Sequence, residues 1–114
     1  MSEENCLFCK IIAGKIPSDF VFQDDSCVVI RDINPQAPMH ALVIPREHME
    51  SLDDATQKEE GLLGHLLRIG ARVANEQGHE NYRTVINTGA GAGQSVFHLH
   101  VHVLGGRAMN WPPG

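Results

Sequence analysis

The chain has 114 residues, 42% hydrophobic and 20% charged, the balance of one globular domain able to bury roughly 65% of its unfolded surface. Its net charge of -5 excludes the basic footprint that holds long nucleic acid, while leaving room for one local site that takes a small phosphorylated ligand. The start, MSEENCLFCK, is acidic and lacks the apolar core of a secretory signal, and no run approaches the ~20 apolar residues that span a bilayer. A cytoplasmic protein is therefore expected, with Cys6, Cys9 and Cys27 as reduced thiols.

In chain order, CLFCKIIAG predicts a short helix ending at Gly14, with Pro17 soon after. FVFQ (20–23) and CVVIR (27–31) are rich in β-formers and flank the turn signal DDS, which predicts a hairpin. NPQAP (34–38) breaks the chain before a third strand, HALVIP (40–45). Thr56 and Glu59 have capping-box spacing ahead of a long helix whose apolar face carries Leu62, Leu63, Leu66, Leu67, Val73 and Ala74, with Gly78 as its stop. Strand YRTVIN (82–87), loop TGAGAGQS (88–95) and a long strand over 96–104 complete the chain. The expectation is one α+β domain over residues 1–114, a five-stranded largely antiparallel sheet with two helices.

The last strand poses the functional question. His98, His100 and His102 alternate with Leu99, Val101 and Val103, so three imidazoles share one face, about 6.6 Å apart in succession, and the apolar residues share the other. A polar face, a metal site and a catalytic row compete as explanations. The loop before it favours catalysis. Gly89, Gly91 and Gly93 precede Gln94 and Ser95, and backbone free of Cβ atoms can cradle an anion. A phosphate cradle feeding a histidine row points to attack on phosphorus.

His98-Leu99-His100-Val101-His102-Val103-Leu104 resembles the His-apolar-His-apolar-His-apolar-apolar signature of the histidine triad superfamily. The closing GGRAMNWPPG and the segment RDINPQAPMHALVIPREH are similar to its histidine-triad nucleotide-binding (Hint) branch, and the likeness runs from about Cys6 to Gly114. The resemblance implies a purine nucleoside phosphoramidase. His100 is then the nucleophile at the α-phosphorus, forming a nucleotidyl-imidazole that water hydrolyses. His102 contacts the phosphate, and Ser95 lies near the leaving group. Asn87 and the Gly93 amide are further phosphate contacts, with Gln94 and Val96 beside them. His40 supports the triad from behind. Asp32 accepts hydrogen bonds from the ribose, and Ile33, Phe8, Ile11 and Ile30 clamp the base. The implied ligand is a purine nucleotide (AMP, GMP or their phosphoramidates), with no cofactor for the chemistry.

Cys6-x-x-Cys9 alone says little, since two cysteines on a short helix are often small hydrophobes. With His48 and His98 it resembles the Cys, Cys, His, His zinc set of many microbial members, a closed and therefore structural site. Animal members of the branch lack that cysteine pair, and they carry histidine where this chain has Asn110. His65 and His79 have no motif support and read as surface or packing residues. Trp111, the only tryptophan, stands on a tail with two prolines, and the resemblance implies that it approaches the partner's nucleotide site. The expectation is a homodimer that covers it, helped by small residues Gly64, Gly70 and Ala71 on the long helix. Rival readings are dinucleoside polyphosphate hydrolysis and a nucleotide- or metal-binding interaction protein.

Overall fold

Two β-forming runs either side of Asp24 make the hairpin of β1 (Phe20–Gln23) and β2 (Cys27–Arg31). Asp24 builds the turn: its Oδ1 accepts the backbone N–H of Ser26 and of Cys27, each at 2.8 Å. The computed structural model describes residues 5–114. Strand β3 (Met39–Pro45) pairs with β2, then β4 (Tyr82–Val85) and β5 (Val101–Gly105) complete one sheet in the order β1-β2-β3-β5-β4. All four pairings are antiparallel.

Helix α1 (Leu7–Ile12) stops short of the expected Gly14, which follows it in a left-handed conformation (φ 79°) that glycine adopts without strain. Helix α2 (Glu60–Glu76) carries the long apolar face. The Thr56–Glu59 capping box is present, but it closes a 3-10 turn, Gln57–Glu59, that leads into α2. Leu66, Ile69, Val73 and Ala74 pack on Val29, Ala41, Val43, Val101 and Val103. Leu67, expected on that face, is instead 44% exposed. Gly70 corrects a second expectation. A Cβ there would lie 3.1 Å from Val103 Cγ2, so the glycine serves close approach of α2 to its own sheet and is unavailable to a partner. His65, expected as a surface or packing residue, ties α2 to the hairpin through Asp24 Oδ2 at 2.7 Å.

The opposite face of the sheet is covered by α1, whose Phe8 and Ile11 pack with Cys6 on Val28, Ile30, Leu42 and Ile44. Cys27 lies on the α2 side, and burial, reinforced by the Asp24 carboxylate, pushes its thiol up to about 12, so it stays an unreactive thiol. No helix among the described residues is long and apolar enough to cross a membrane.

The expected strand over 96–104 is shorter at its front. It begins at Val101, opposite Val43, because two residues beyond Val43 its partner strand ends in Pro45, which has no N–H to offer a ladder. Residues 96–100 bond differently: Leu99 N–H donates to the Met49 carbonyl at 2.7 Å, and His98 Nε2 pairs with the Pro45 carbonyl at 2.8 Å. Strand β4 likewise ends at Val85 rather than 87, leaving Asn87 in the loop.

Candidate active site

The alternation across residues 98–103 survives the lost ladder. Leu99, Val101 and Val103 enter the α2 core, and the three histidines lie on the other face. The row then splits. His100 and His102 line a cavity of about 350 Å³, with ring centroids 4.9 Å apart. His98 is fully buried and turns to the cysteines. Phe8 stands edge-on to both, 5.0 Å from the His100 centroid and 5.9 Å from that of His98.

Hydrogen-bond partners of fixed polarity settle the tautomers. His100 Nδ1 is 2.8 Å from the His98 carbonyl, which only accepts, so Nδ1 carries the proton and Nε2 keeps its lone pair. The Gln36 backbone N–H, which only donates, meets His40 Nδ1 at 3.0 Å. The proton of a neutral His40 is therefore on Nε2, where it donates to His102 Nδ1 at 2.9 Å, with the Asp32 carboxylate 3.4 Å away. His102 then carries its own proton on Nε2. One ring thus keeps a bare nitrogen and its neighbour an N–H donor, the pairing that attack on a phosphoryl centre needs.

Charge agrees with this. Burial holds His102 down to about 4, and the neighbouring His100 and His40 add to the effect against the pull of Asp32. Burial also lowers His100 and His40 below the ordinary histidine value, with Asp32 opposing in both cases and the His98 carbonyl in the first. All three imidazoles are neutral at pH 7, so His100 is competent as a nucleophile.

Of the residues expected at a nucleotide, the cavity gathers Phe8, Ile11, Ile30, Asp32, Ile33, Ser95, Val96, His100 and His102. Ile33 stands at its mouth 98% exposed, an apolar face without a partner among the described residues. His40 lies behind the row. Asn87, Gly93, Gln94 and Trp111 are not among the lining residues. The glycine loop explains two of them. Three of its amides turn inward: Ala92 and Gln94 donate to the Gly89 carbonyl, and Gly93 to that of Ala90. The open cradle expected from three glycines is a closed 3-10 turn, Ala90–Ala92. Buried Gln94 braces it, accepting from Gly89 N–H and donating to the carbonyls of Glu50 and Val96. Asn87 packs beside Gly93. Trp111 is 81% exposed, with the Arg83 guanidinium 5.9 Å from its ring. Sequence reading missed Leu7, Ile16, Pro17, Ser18, Arg31 and Leu42 in the lining, and the Gln36 amide as the group that sets the His40 tautomer. A backbone donor leaves no side-chain signature to find. A larger, wider-mouthed hollow of about 570 Å³ lies by His79, Glu80 and Arg107, away from the histidine row.

Cys6, Cys9, His48 and His98 form a tetrad whose ligand atoms all lie within 4.8 Å of one another. His98 Nδ1 is 3.2 Å from Cys6 Sγ, 3.6 Å from Cys9 Sγ and 3.2 Å from His48 Nδ1, and Cys9 Sγ is 3.4 Å from His48 Nδ1. A tetrahedral ion with ordinary zinc bond lengths needs N···N near 3.4 Å and N···S near 3.6 Å, roughly these separations. Because His98 Nε2–H donates to the Pro45 carbonyl, its Nδ1 presents a lone pair to the tetrad. His48 turns Nδ1 the same way and leaves a buried Nε2 without a partner among the described residues, a cost of roughly 1–3 kcal/mol that a metal–nitrogen bond offsets. The residues fit a zinc ion.

Comparisons with known proteins bear on the whole chain. A family model described as scavenger mRNA decapping enzyme C-term binding matches residues 5–111. An uncharacterized HIT-like protein of Synechococcus elongatus is 52% identical over 112 residues, covering 97% of this chain and 98% of that one. The crystal structure of a HIT family hydrolase from Legionella pneumophila superposes with TM-score 0.93 at 46% identity, over 96% of this chain and 100% of that one. A histidine triad protein from Clostridium difficile gives TM-score 0.91 at 39% identity, over 96% of this chain and 97% of that one.

Proposed function

The chain belongs to the histidine triad (HIT) family, and on that premise we propose that it is a hydrolase of purine nucleoside 5'-phosphoramidates, releasing a nucleoside 5'-monophosphate and an amine. One observation carries the reading: the His98 carbonyl accepts a hydrogen bond from His100 Nδ1–H and so leaves Nε2 bare on a ring that lines a cavity with Asp32. In the first step His100 Nε2 attacks the α-phosphorus, the bond to the amine nitrogen breaks, and the amine departs with a proton from His102 Nε2–H or Ser95, which a proton of the attacking water restores in the second step. Water then attacks the nucleotidyl-imidazole, releasing AMP or GMP and returning a neutral imidazole. His102 Nε2–H faces the phosphoryl oxygens that gain charge, and Ser95 lies near the leaving group. Asp32 accepts from the ribose hydroxyls. Phe8, Ile11, Ile30 and Ile33 hold the base between apolar faces, which suits either purine.

No cofactor enters the chemistry. A zinc ion at Cys6, Cys9, His48 and His98 is structural, closed by four protein ligands, and it stabilises the fold that holds them. The active form is a homodimer of single-domain chains in the cytoplasm, with Trp111 and the β4 edge covered by the partner.

The test is to mix pure protein with adenosine 5'-phosphoramidate and follow AMP, with elemental analysis of the same sample. The expected result is AMP released with about one zinc per chain. No AMP above background sinks the phosphoramidase reading. The family model's name favours a second reading, cleavage of a dinucleoside polyphosphate at the same phosphorus. A cavity of about 350 Å³ suits one nucleoside monophosphate better than two, and faster turnover of diadenosine polyphosphate than of the phosphoramidate decides for the rival.

A further inference from the structure

The tetrad and the cavity share a wall, and we infer that they are energetically coupled: zinc at the tetrad raises the affinity of the cavity for a nucleoside monophosphate, and the nucleotide in turn raises the affinity for zinc. This rests on the zinc assignment and the nucleotide reading above.

Two physical connections carry it. The first is α1. Leu7, Phe8 and Ile11 line the cavity from a helix of six residues, too short to persist on its own. Its N-cap is Cys6, whose Sγ accepts the Cys9 N–H at 3.4 Å, so both thiols of the tetrad bracket the turn that presents Phe8. The second is His98. Its ring donates to the Pro45 carbonyl and offers Nδ1 to the thiols, while its own carbonyl accepts a hydrogen bond from His100 Nδ1–H. An ion that fixes His98 therefore fixes the group that sets the nucleophile's tautomer. Phe8 touches both rings and closes the loop between the two connections. Phe8 and His98 are positioning residues for His100 and for the base. Ordering one wall in advance lowers what the nucleotide must order on binding, and linkage makes the effect reciprocal.

Coupled sites of this kind change each other's affinity by about 5- to 150-fold. Zinc-loaded and chelator-stripped protein are titrated with AMP by calorimetry, with far-UV circular dichroism reporting the fold. The expected result is AMP affinity weaker by roughly tenfold in stripped, folded protein, with zinc affinity in a chelator competition raised by a similar factor at saturating AMP. Equal AMP affinity in the two folded forms overturns the coupling. Should stripping unfold the chain, the cobalt-loaded protein decides. Saturating AMP is expected to shift the thiolate-to-cobalt and ligand-field bands, and bands that stay fixed while AMP is bound overturn the inference. Phe8→Leu should bind cobalt as wild type does and lose most of the shift. A chain that binds AMP and never takes metal refutes the zinc assignment and this inference with it. One that takes metal and never binds AMP refutes the nucleotide reading.

Discussion

The buried row makes stability depend on pH through His102. Folding lowers its pKa from the ordinary 6.5 to about 4, because burial and the neighbouring imidazoles disfavour the cation. Above pH 6.5 both folded and unfolded chains hold it neutral, and its contribution is fully present. Between 6.5 and 4 the unfolded chain takes up the proton and the folded chain does not, so stability falls as pH falls; below 4 both are protonated and the loss is complete. At about 1.36 kcal/mol per tenfold, the ceiling is roughly 3.4 kcal/mol. Partial exposure of the ring and solvent screening reduce this to roughly 1–2 kcal/mol. His102→Gln keeps a polar side chain of similar reach and removes the titration. Urea unfolding of both proteins, at matched metal content, should give a gap in stability at about pH 7.5 that narrows by roughly 1–2 kcal/mol at about pH 4.5. Matched metal content matters, since acid also protonates the tetrad in both proteins. A gap of the same size at both pH values would mean that His102 titrates alike folded and unfolded, and the argument from its burial would fall with it.

His100→Ala should retain AMP binding by calorimetry and lose at least about three powers of ten in kcat, since a covalent nucleophile has no substitute; turnover within tenfold of wild type removes His100 from that role. Gly106 has φ 93°, and a Cβ there would sit 2.9 Å from Pro38 Cβ, so Gly106→Ala should cost roughly 1–3 kcal/mol by thermal unfolding. The same change displaces the turn bearing Gln36, whose carbonyl accepts from Arg107 Nε at 2.8 Å, and a drop in kcat/KM should accompany the lower Tm. Unaltered Tm and kcat/KM together contradict the packing described. Deleting residues 110–114 should leave a dimer by light scattering and change kcat/KM according to the leaving amine; a monomeric full-length chain at micromolar concentration, or unchanged selectivity in the truncated one, speaks against the tail's role.

Local signals were legible in the sequence to the residue. The hairpin strands fall at 20–23 and 27–31 as the β-formers around DDS predict, because Asp24 needs only its own turn to act. The side-chain alternation through the histidines was also legible, since period two depends on the backbone alone. What the chain closes over long distances was not. Cys6 meets His98 across 92 residues, and only the resemblance to microbial relatives anticipated that contact, since nothing local to either residue reports it. The start of β5 is decided by Pro45 on the strand opposite, and the glycine loop closes because buried Gln94 reaches back to Gly89 and across to Glu50. Three glycines suggest an open cradle only while the brace beside them is unseen.

The alternation at residues 98–103 ties two fates together. A slip of one residue in pairing β5 would swap its faces, driving imidazoles into the α2 core and setting Val101 and Val103 in the cavity. No soluble, well-packed chain with a misplaced nucleophile lies close at hand, because the error that spoils the chemistry also spoils the core. Folding acts as a proofreader of this site. Among random substitutions in the segment, selection for solubility alone should therefore enrich for chains that keep His100 in register, before any substrate is offered.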